Sequence, residues 1–171
     1  VTAIYPDGFV PYINGAIKDR YAILGVWDNF GDWRADLSQT YGYNALQDII
    51  SNTLNASIAN ADLLAGGAGL SPNRFHAGGF SFEQETTNLD LSRYYGDILH
   101  GLNVAFGAEY RRENYRITPG EPGSYIDADG PGGGNAGSQG FPGFQPGDAT
   151  NQSRHSYAAY ADVETDWTER F

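Results

Sequence analysis

The chain contains no cysteine and no methionine among its 171 residues. The absence of cysteine excludes disulfide bonds, cysteine-based metal sites and a cysteine nucleophile. Without methionine there is no natural chain start, so we expect the sequence to be a fragment or a processed product. Because no charged segment followed by an apolar one opens the sequence, we expect any signal peptide to have been removed or to lie outside it.

Basic residues are scarce, since 10 Lys and Arg stand against 21 Asp and Glu and give a net charge of −11. This balance argues against a nucleic-acid surface, which needs clustered basic residues, and disfavours electrostatic binding to an anionic leaflet. No run of about 18 apolar residues occurs, so the sequence predicts no transmembrane helix. A membrane-spanning strand needs only about 9–11 residues, of which alternate ones are polar.

Aromatic residues and glycine are abundant, with 12 Tyr, 9 Phe, 3 Trp and 23 Gly. Aromatic side chains favour strands, and glycine favours turns. Apolar and polar residues alternate with a period of two, most clearly over residues 32–43, and this pattern predicts strands. We predict an all-β chain with about five strands, at residues 19–29, 32–46, 79–95, 101–117 and 153–168.

The predicted connections differ in length. Residues 1–18 are predicted to be a loop, short turns follow the first and third strands, and long loops cover about 47–78 and 118–152. The last loop is rich in Gly and Pro and is predicted to lack regular structure. Compact soluble domains rarely keep such loops, whereas outer-membrane barrels combine short periplasmic turns with long extracellular loops. The layout therefore predicts a segment of a large antiparallel transmembrane β-barrel.

The aromatic residues agree with this topology, because they gather towards the two predicted membrane interfaces. The predicted periplasmic set comprises Trp27, Phe30, Trp33, Tyr94, Tyr95, Trp167 and Phe171. The predicted outer set comprises Tyr41, Tyr43, Tyr110, Tyr115 and Tyr157. A soluble β-sandwich or barrel with one exposed polar face stays the alternative, since alternation alone does not exclude it.

Each predicted strand has a lipid face and a lumen face. The residues predicted to meet lipid are Leu37, Val104, Phe106, Ala161 and Val163. The residues predicted to line a hydrated lumen are Arg34, Asp36, Glu109, Arg111, Asp162 and Glu164. This arrangement satisfies the requirement that backbone groups inside a bilayer pair from strand to strand.

Several runs resemble the barrels of TonB-dependent receptors, and together they cover most of the chain from about Tyr21 onward. They are Asn52–Ser57 (NTLNAS), Gly78–Gln84 (GGFSFEQ), Thr87–Arg93 (TNLDLSR), Leu102–Arg111 (LNVAFGAEYR), Gly137–Phe144 (GSQGFPGF) and Ser156–Glu164 (SYAAYADVE). The resemblance implies a 22-stranded barrel closed by an N-terminal plug, of which this chain would form about a quarter. It also implies uptake powered through the TonB complex, although no plug or TonB box is recognisable here.

Three motifs that resemble cofactor or metal sites are better explained as ordinary loop residues. Gly132, Gly134 and Gly137 match GxGxxG formally, but a dinucleotide site needs a preceding strand and a following helix. The run 127–130 (DADG) resembles the start of a calcium loop but lacks the closing Glu, so a plain turn is the better interpretation. The three histidines, His76, His100 and His155, have no paired metal-ligand spacing. We therefore predict no metal and no cofactor.

No catalytic site is predicted either. Asp162, Glu164 and Asp166 share one strand face, and an acid/base pair would need a cleft and tuned pKa values. Alternating polar residues are what a barrel interior requires, so a wet lumen wall explains them more simply. No serine has a nucleophile elbow around it. The chain is therefore not expected to be an enzyme.

Three aromatic residues of the second long loop are candidate ligand contacts. Tyr125, Phe141 and Phe144 stand among Gly and Pro, where they could stack on an apolar or ring-bearing ligand. The alternative is that they pack the loop against its neighbours.

The resemblance thus implies a TonB-dependent receptor of the bacterial outer membrane that takes up a large scarce nutrient, such as a siderophore complex, cobalamin or a glycan. Its expected partners are outer-membrane lipid, the transported ligand and the TonB complex, and no nucleic acid. The first alternative is a structural or adhesive β-rich fragment, because the open edges of an incomplete barrel tend to pair. The second is a soluble glycan-binding β-domain.

Overall fold

The chain folds as a five-stranded antiparallel sheet in a computed structural model that describes residues 2–167. Its strands are β1 (Tyr12–Phe30), β2 (Trp33–Ser51), β3 (Arg74–Tyr95), β4 (Leu102–Pro119) and β5 (Thr150–Thr165). Each strand pairs with the next in sequence, so that β1 and β5 form the two edges of the sheet. The predicted all-β fold with five strands is confirmed.

The strands are longer than predicted at one end. The prediction of a loop over residues 1–18 is wrong from Tyr12 onward, where β1 begins, and agrees with the structure over residues 2–11. The second strand, β2, continues to Ser51. Asn14 donates from Nδ2 to Ile49 O at 3.2 Å and to Ser51 Oγ at 2.9 Å. Asn and Gly are poor strand formers, so the sequence of residues 14–15 gave no strand signal, and cross-strand pairing overrides this local preference.

The two long connections are ordered. This corrects the prediction that residues 118–152 lack regular structure, and the loop predicted over about 47–78 also contains regular structure. The first holds the end of β2, helix α1 (Ala56–Leu64) and the start of β3. The second holds the short helix α2 (Pro122–Tyr125) and a 3-10 turn (Pro146–Asp148). Neither helix is long and apolar enough to cross a membrane, within the part of the chain that the structure describes.

The chain divides into two compact units. Among the described residues, the loop unit comprises 2–19, Asn44–Phe82 and Tyr115–Gln152, and the strand unit comprises Arg20–Tyr43, Glu83–Asn114 and 153–167. The apolar core of the loop unit is small, and its members are Ala45, Ile50, Leu54, Ala59, Phe75 and Ala77. Because so few apolar residues are buried, buried hydrogen bonds must contribute much of the stability of the loop unit.

Asn55 joins the two long connections inside the loop unit. It is fully buried at the start of α1, where its Oδ1 accepts from Ser57 N at 3.0 Å and from Ser57 Oγ at 2.7 Å. Its Nδ2 donates to Gly123 O at 3.0 Å and to Ile126 O at 2.9 Å. The side chain therefore caps one helix and holds the next connection, and a buried carbonyl left without such a donor costs about 1–3 kcal/mol.

Backbone hydrogen bonds fix the second connection along its length. Gln139 N donates to Leu54 O at 3.0 Å, and Phe144 N donates to Ala77 O at 2.9 Å. The glycines permit this close approach, because a Cβ on Gly134 would lie 2.5 Å from Ala56 O. The abundance of glycine thus reflects backbone packing as well as turn formation.

We expect Gly134→Ala to disorder this connection, because the added methyl group meets the backbone of α1 and overpacking costs about 1–3 kcal/mol. Amide hydrogen exchange over residues 52–64 and 122–144, measured in the full protein that contains this chain, should become faster. Gly147→Ala is the matched control, since no atom lies within 4 Å of a Cβ built there. Equal exchange in the two variants would contradict this account of the glycines.

Candidate functional site

The strand unit carries a polar face formed by alternate residues of four strands. Tyr160 Oη donates to Asp90 Oδ1 at 2.7 Å, and Arg111 lies 2.8 Å from Glu109. Arg154 pairs with Glu113, whose side chain is only 9% exposed. Since side chains two apart along a strand share a face, the residues predicted to line a lumen fall on this polar face together. They are Arg34 and Asp36 on β2, Glu109 and Arg111 on β4, and Asp162 and Glu164 on β5.

The sequence analysis missed the contact that ties three strands of this face together. Tyr160 of β5 reaches over Gly107 of β4 to Asp90 of β3, and a Cβ on Gly107 would lie 2.6 Å from both partners. The Glu113–Arg154 pair was also missed. Only the even spacing of Tyr160 with Asp162 and Glu164 signalled that the tyrosine faces the polar side.

The opposite face of the strand unit is mainly apolar. Trp33 lies 5.2 Å from Phe106 between ring centroids, and Tyr110 lies 5.2 Å from Tyr157. By the same alternation, this apolar face also carries the residues predicted to meet lipid: Leu37, Val104, Phe106, Ala161 and Val163. Polar residues on it pair with one another, as Gln39 does with Thr87 and Glu85 with Arg112.

The usual relation between polarity and burial is reversed on the inner strands of the sheet. Leu37 is 47% exposed and Phe106 is 39% exposed, although β2 and β4 each have a neighbour on both sides. Glu113 is only 7% exposed and Thr86 only 5%. A water-soluble domain usually buries its large apolar side chains and leaves charges in solvent, and these four residues show the opposite arrangement.

The aromatic sets lie only partly where they were predicted. Trp33 and Tyr95 stand on the apolar face near strand ends that adjoin the short turns, and Phe30 and Trp167 also stand near strand ends. Trp27 and Tyr94 stand near such ends but on the polar face, where the Trp27 ring centre lies 5.0 Å from the guanidinium carbon of Arg34. Phe171 lies outside the described residues. The predicted outer set lies within strands and not at their ends, because the strands continue into the loop unit.

The candidate ligand contacts belong to the loop unit, and all three are half-buried. Phe141 and Phe144 form an edge-to-face pair with ring centroids 5.4 Å apart. Tyr125 ends α2, and among the described residues its ring pairs with neither phenylalanine. Phe144 is held through its backbone, which bonds to Ala77 and Gly120. The structure thus brings two of the three candidates together on a fixed segment.

The 127–130 run forms a turn, as the sequence analysis favoured. Asp127 Oδ1 accepts from Gly130 N at 3.1 Å, and Asp129 Oδ2 accepts from Gly134 N and from the Asn60 amide, each at 2.6 Å. Among the described residues no group of three or more His, Asp and Glu side chains could hold a metal ion. The Gly134 N–H, followed by the Asn60 amide, holds the pKa of the Asp129 carboxyl below its usual value.

Comparison with known proteins gives no relative for this chain. No family model, no curated protein and no solved structure matches it. The resemblance to TonB-dependent receptors therefore stays a prediction from the residue runs, and the functional residues are assigned from geometry.

We expect the turn around Asp129 to loosen in acid. Because hydrogen bonds to the charged carboxylate lower its folded pKa, the stabilisation is complete above the ordinary Asp value of about 4 and is lost as the pH falls through the lowered folded pKa. Hydrogen-exchange protection of residues 129–134, corrected for intrinsic rates, should fall in that range for the wild type. Asp129→Asn should remove this local pH dependence, and an identical pH profile in both proteins would refute the assignment.

Proposed function

We propose that this chain forms part of the wall of an outer-membrane β-barrel and that the whole protein is a TonB-dependent receptor. In this role it imports a large scarce nutrient such as a siderophore complex, cobalamin or a glycan. The observation that carries the proposal is the alternation of an apolar and a polar face on the strand unit, where Leu37 and Phe106 of the inner strands are exposed while Glu113 and Thr86 are buried.

The apolar face has the dimensions of a membrane-contacting surface. Residues 33–43 of β2 alternate their faces over 11 positions, and a tilted strand needs about 9–11 residues to cross the hydrocarbon. Trp33 and Tyr43 would then lie near the two interfaces, where aromatic side chains are favoured. Leu37 and Phe106 would lie between them in contact with acyl chains.

The two open edges fit a sheet that continues beyond this chain. The strands β1 and β5 each have one neighbour, and β1 is exposed along its 19 residues. Unpaired backbone groups are costly in hydrocarbon, so further strands must pair with both edges in a bilayer. Pairing of these two edges with strands outside this chain would support a barrel. Pairing of the edges between copies of the chain would support the structural or adhesive alternative.

The polar face would line the lumen. Its two Arg–Glu pairs and the Tyr160–Asp90 bond hold charged groups in fixed positions, as a hydrated wall requires. The ordered segment with Phe141 and Phe144 would present rings to the arriving ligand, and Tyr125 would contribute from α2. Energy for import would come from the TonB complex through parts of the protein not contained in this chain.

Because this chain contains no cysteine, a direct test of sidedness needs only the replacement by serine of any cysteine that the full protein has elsewhere. Single cysteines carrying a nitroxide label are placed in the full protein, reconstituted in phospholipid vesicles, in the neighbouring pairs Leu37 and Ser38, Phe106 and Ala105, and Val163 and Asp162. The first member of each pair should be relaxed more strongly by oxygen, which concentrates in lipid. The second should be relaxed more strongly by a water-soluble nickel chelate.

The neighbouring positions serve as matched controls, because both members of a pair lie on the same strand at nearly the same depth. Collision rates that do not alternate within the pairs would refute the membrane assignment. A monodisperse particle that needs no detergent would favour the soluble glycan-binding domain. Fibres with a spacing of about 4.7 Å would favour the structural alternative.

Import is tested separately, in cells that produce the full protein. Uptake of radiolabelled ferric siderophores, cobalamin and oligosaccharides is compared with and without the full protein, and with and without active TonB. Uptake of at least one of these probes should require both the full protein and TonB. Because aromatic contacts are often binding hot spots, the Phe141→Ala/Phe144→Ala variant should bind that probe about tenfold more weakly. Leu64→Ala, an exposed site on α1, is the control. Unchanged uptake in the double variant would remove these rings from the ligand site.

A further inference from the structure

An ion pair interrupts the apolar face of the strand unit beside the turn that joins β1 and β2. Arg93 of β3 lies 2.6 Å from the carboxylate of Asp32. The Arg93 side chain is 29% exposed and the Asp32 side chain is 71% exposed. Arg93 lies on the apolar face, because the Trp33 ring under its guanidinium contacts Phe106, a residue that the proposed function places in lipid.

Aromatic rings hold the guanidinium in place. Its central carbon lies 4.4 Å from the centre of the Tyr95 ring and 6.0 Å from that of Trp33. Trp33 in turn contacts Phe106. The Arg93 Nε is buried and has no hydrogen-bond partner among the described residues. Stacking on aromatic faces, together with the Asp32 bond, therefore fixes the cation.

We propose that Arg93 and Asp32, flanked by Trp33 and Tyr95, bind the headgroup of a zwitterionic phospholipid that carries a primary ammonium. The lipid phosphate accepts hydrogen bonds from the Arg93 guanidinium, whose planar donors suit phosphate oxygens. The lipid ammonium donates to Asp32, the more exposed partner. This proposal rests on the proposed function, because the apolar face must contact lipid.

Charge complementarity selects this headgroup over an anionic one. The protein presents one cation and one anion side by side, and the zwitterionic headgroup presents one anion and one cation. An anionic glycerol headgroup would offer Asp32 only neutral hydroxyl donors, which bind a carboxylate more weakly than an ammonium does. A trimethylated ammonium has no N–H to donate to the carboxylate, so the primary ammonium is the preferred form.

A second ion pair on the same face supplies a matched control. Arg112 lies 3.8 Å from Glu85, and both side chains are more exposed than that of Arg93. No aromatic ring stacks on Arg112 among the described residues. Removing this arginine changes the net charge equally but leaves the ring-stacked site intact.

The test measures lipid retained by the full protein on release from vesicles, using native mass spectrometry. Vesicles contain equal amounts of phosphatidylethanolamine, phosphatidylcholine and phosphatidylglycerol. The wild type should retain phosphatidylethanolamine over the other two by a factor on the order of five, the size of a partly exposed charge contact. Asp32→Asn should abolish the preference for phosphatidylethanolamine over phosphatidylcholine. Arg93→Gln should lower the retention of phosphatidylethanolamine and of phosphatidylcholine. Arg112→Gln should change neither the preference nor the retention.

Equal retention by the wild type and Arg93→Gln, or no preference among the three lipids, would overturn the site. Asp32→Asn alters an exposed turn residue and serves as the second variant if Arg93→Gln does not fold. The nitroxide label at Leu37 separates this failure from that of the proposed function. If that label contacts lipid while the Arg93→Gln and Asp32→Asn variants retain phosphatidylethanolamine as the wild type does, only the headgroup site is wrong. If that label lies in water, the headgroup site and the proposed function are both refuted.

Discussion

The alternation of side chains along paired strands is the constraint on which the strand unit depends. Because neighbouring strands keep their backbones hydrogen-bonded, every second residue of each strand is forced onto the same face of the sheet. A shift of one residue in register would bring Leu37 to the polar side and Asp36 to the apolar side. The Tyr160–Asp90 bond and the Gln39–Thr87 bond lie on opposite faces of the sheet. This agrees with alternation along β3, because Asp90 and Thr87 are an odd number of residues apart.

A different interaction organises the loop unit. Its apolar core is too small to fix two long connections by burial alone, and the amide of Asn55 satisfies both connections at once. An aspartate would lack the two donors, and an alanine would leave two carbonyls without partners. Glycine has a matching role here, since Gly134 allows one backbone to approach another where any side chain would intrude.

The sequence was most informative where one physical period applied along a whole segment. The strand at residues 32–43 and the faces of β4 and β5 followed from alternation, and the structure contains all five predicted strands. The start of β1 at Tyr12 was missed because Asn14 and Gly15 carry no strand signal of their own. The order of residues 118–152 was missed because Gly and Pro composition reports local freedom and not the partners that the backbone meets elsewhere.

The sequence by itself determined the strand pattern, the two chemically different faces and the absence of cysteine chemistry, because each of these depends on residue type and local spacing. Only the tertiary structure decided that Asn55 joins two connections, that Phe141 meets Phe144, and that Arg93 lies between Asp32 and aromatic rings. The Asn55 and Arg93–Asp32 contacts join residues that lie on different strands or connections, and the Phe141–Phe144 contact depends on a backbone segment that Ala77 and Gly120 hold. Their geometry depends on how the strands pair and where the connections return, which no local pattern encodes.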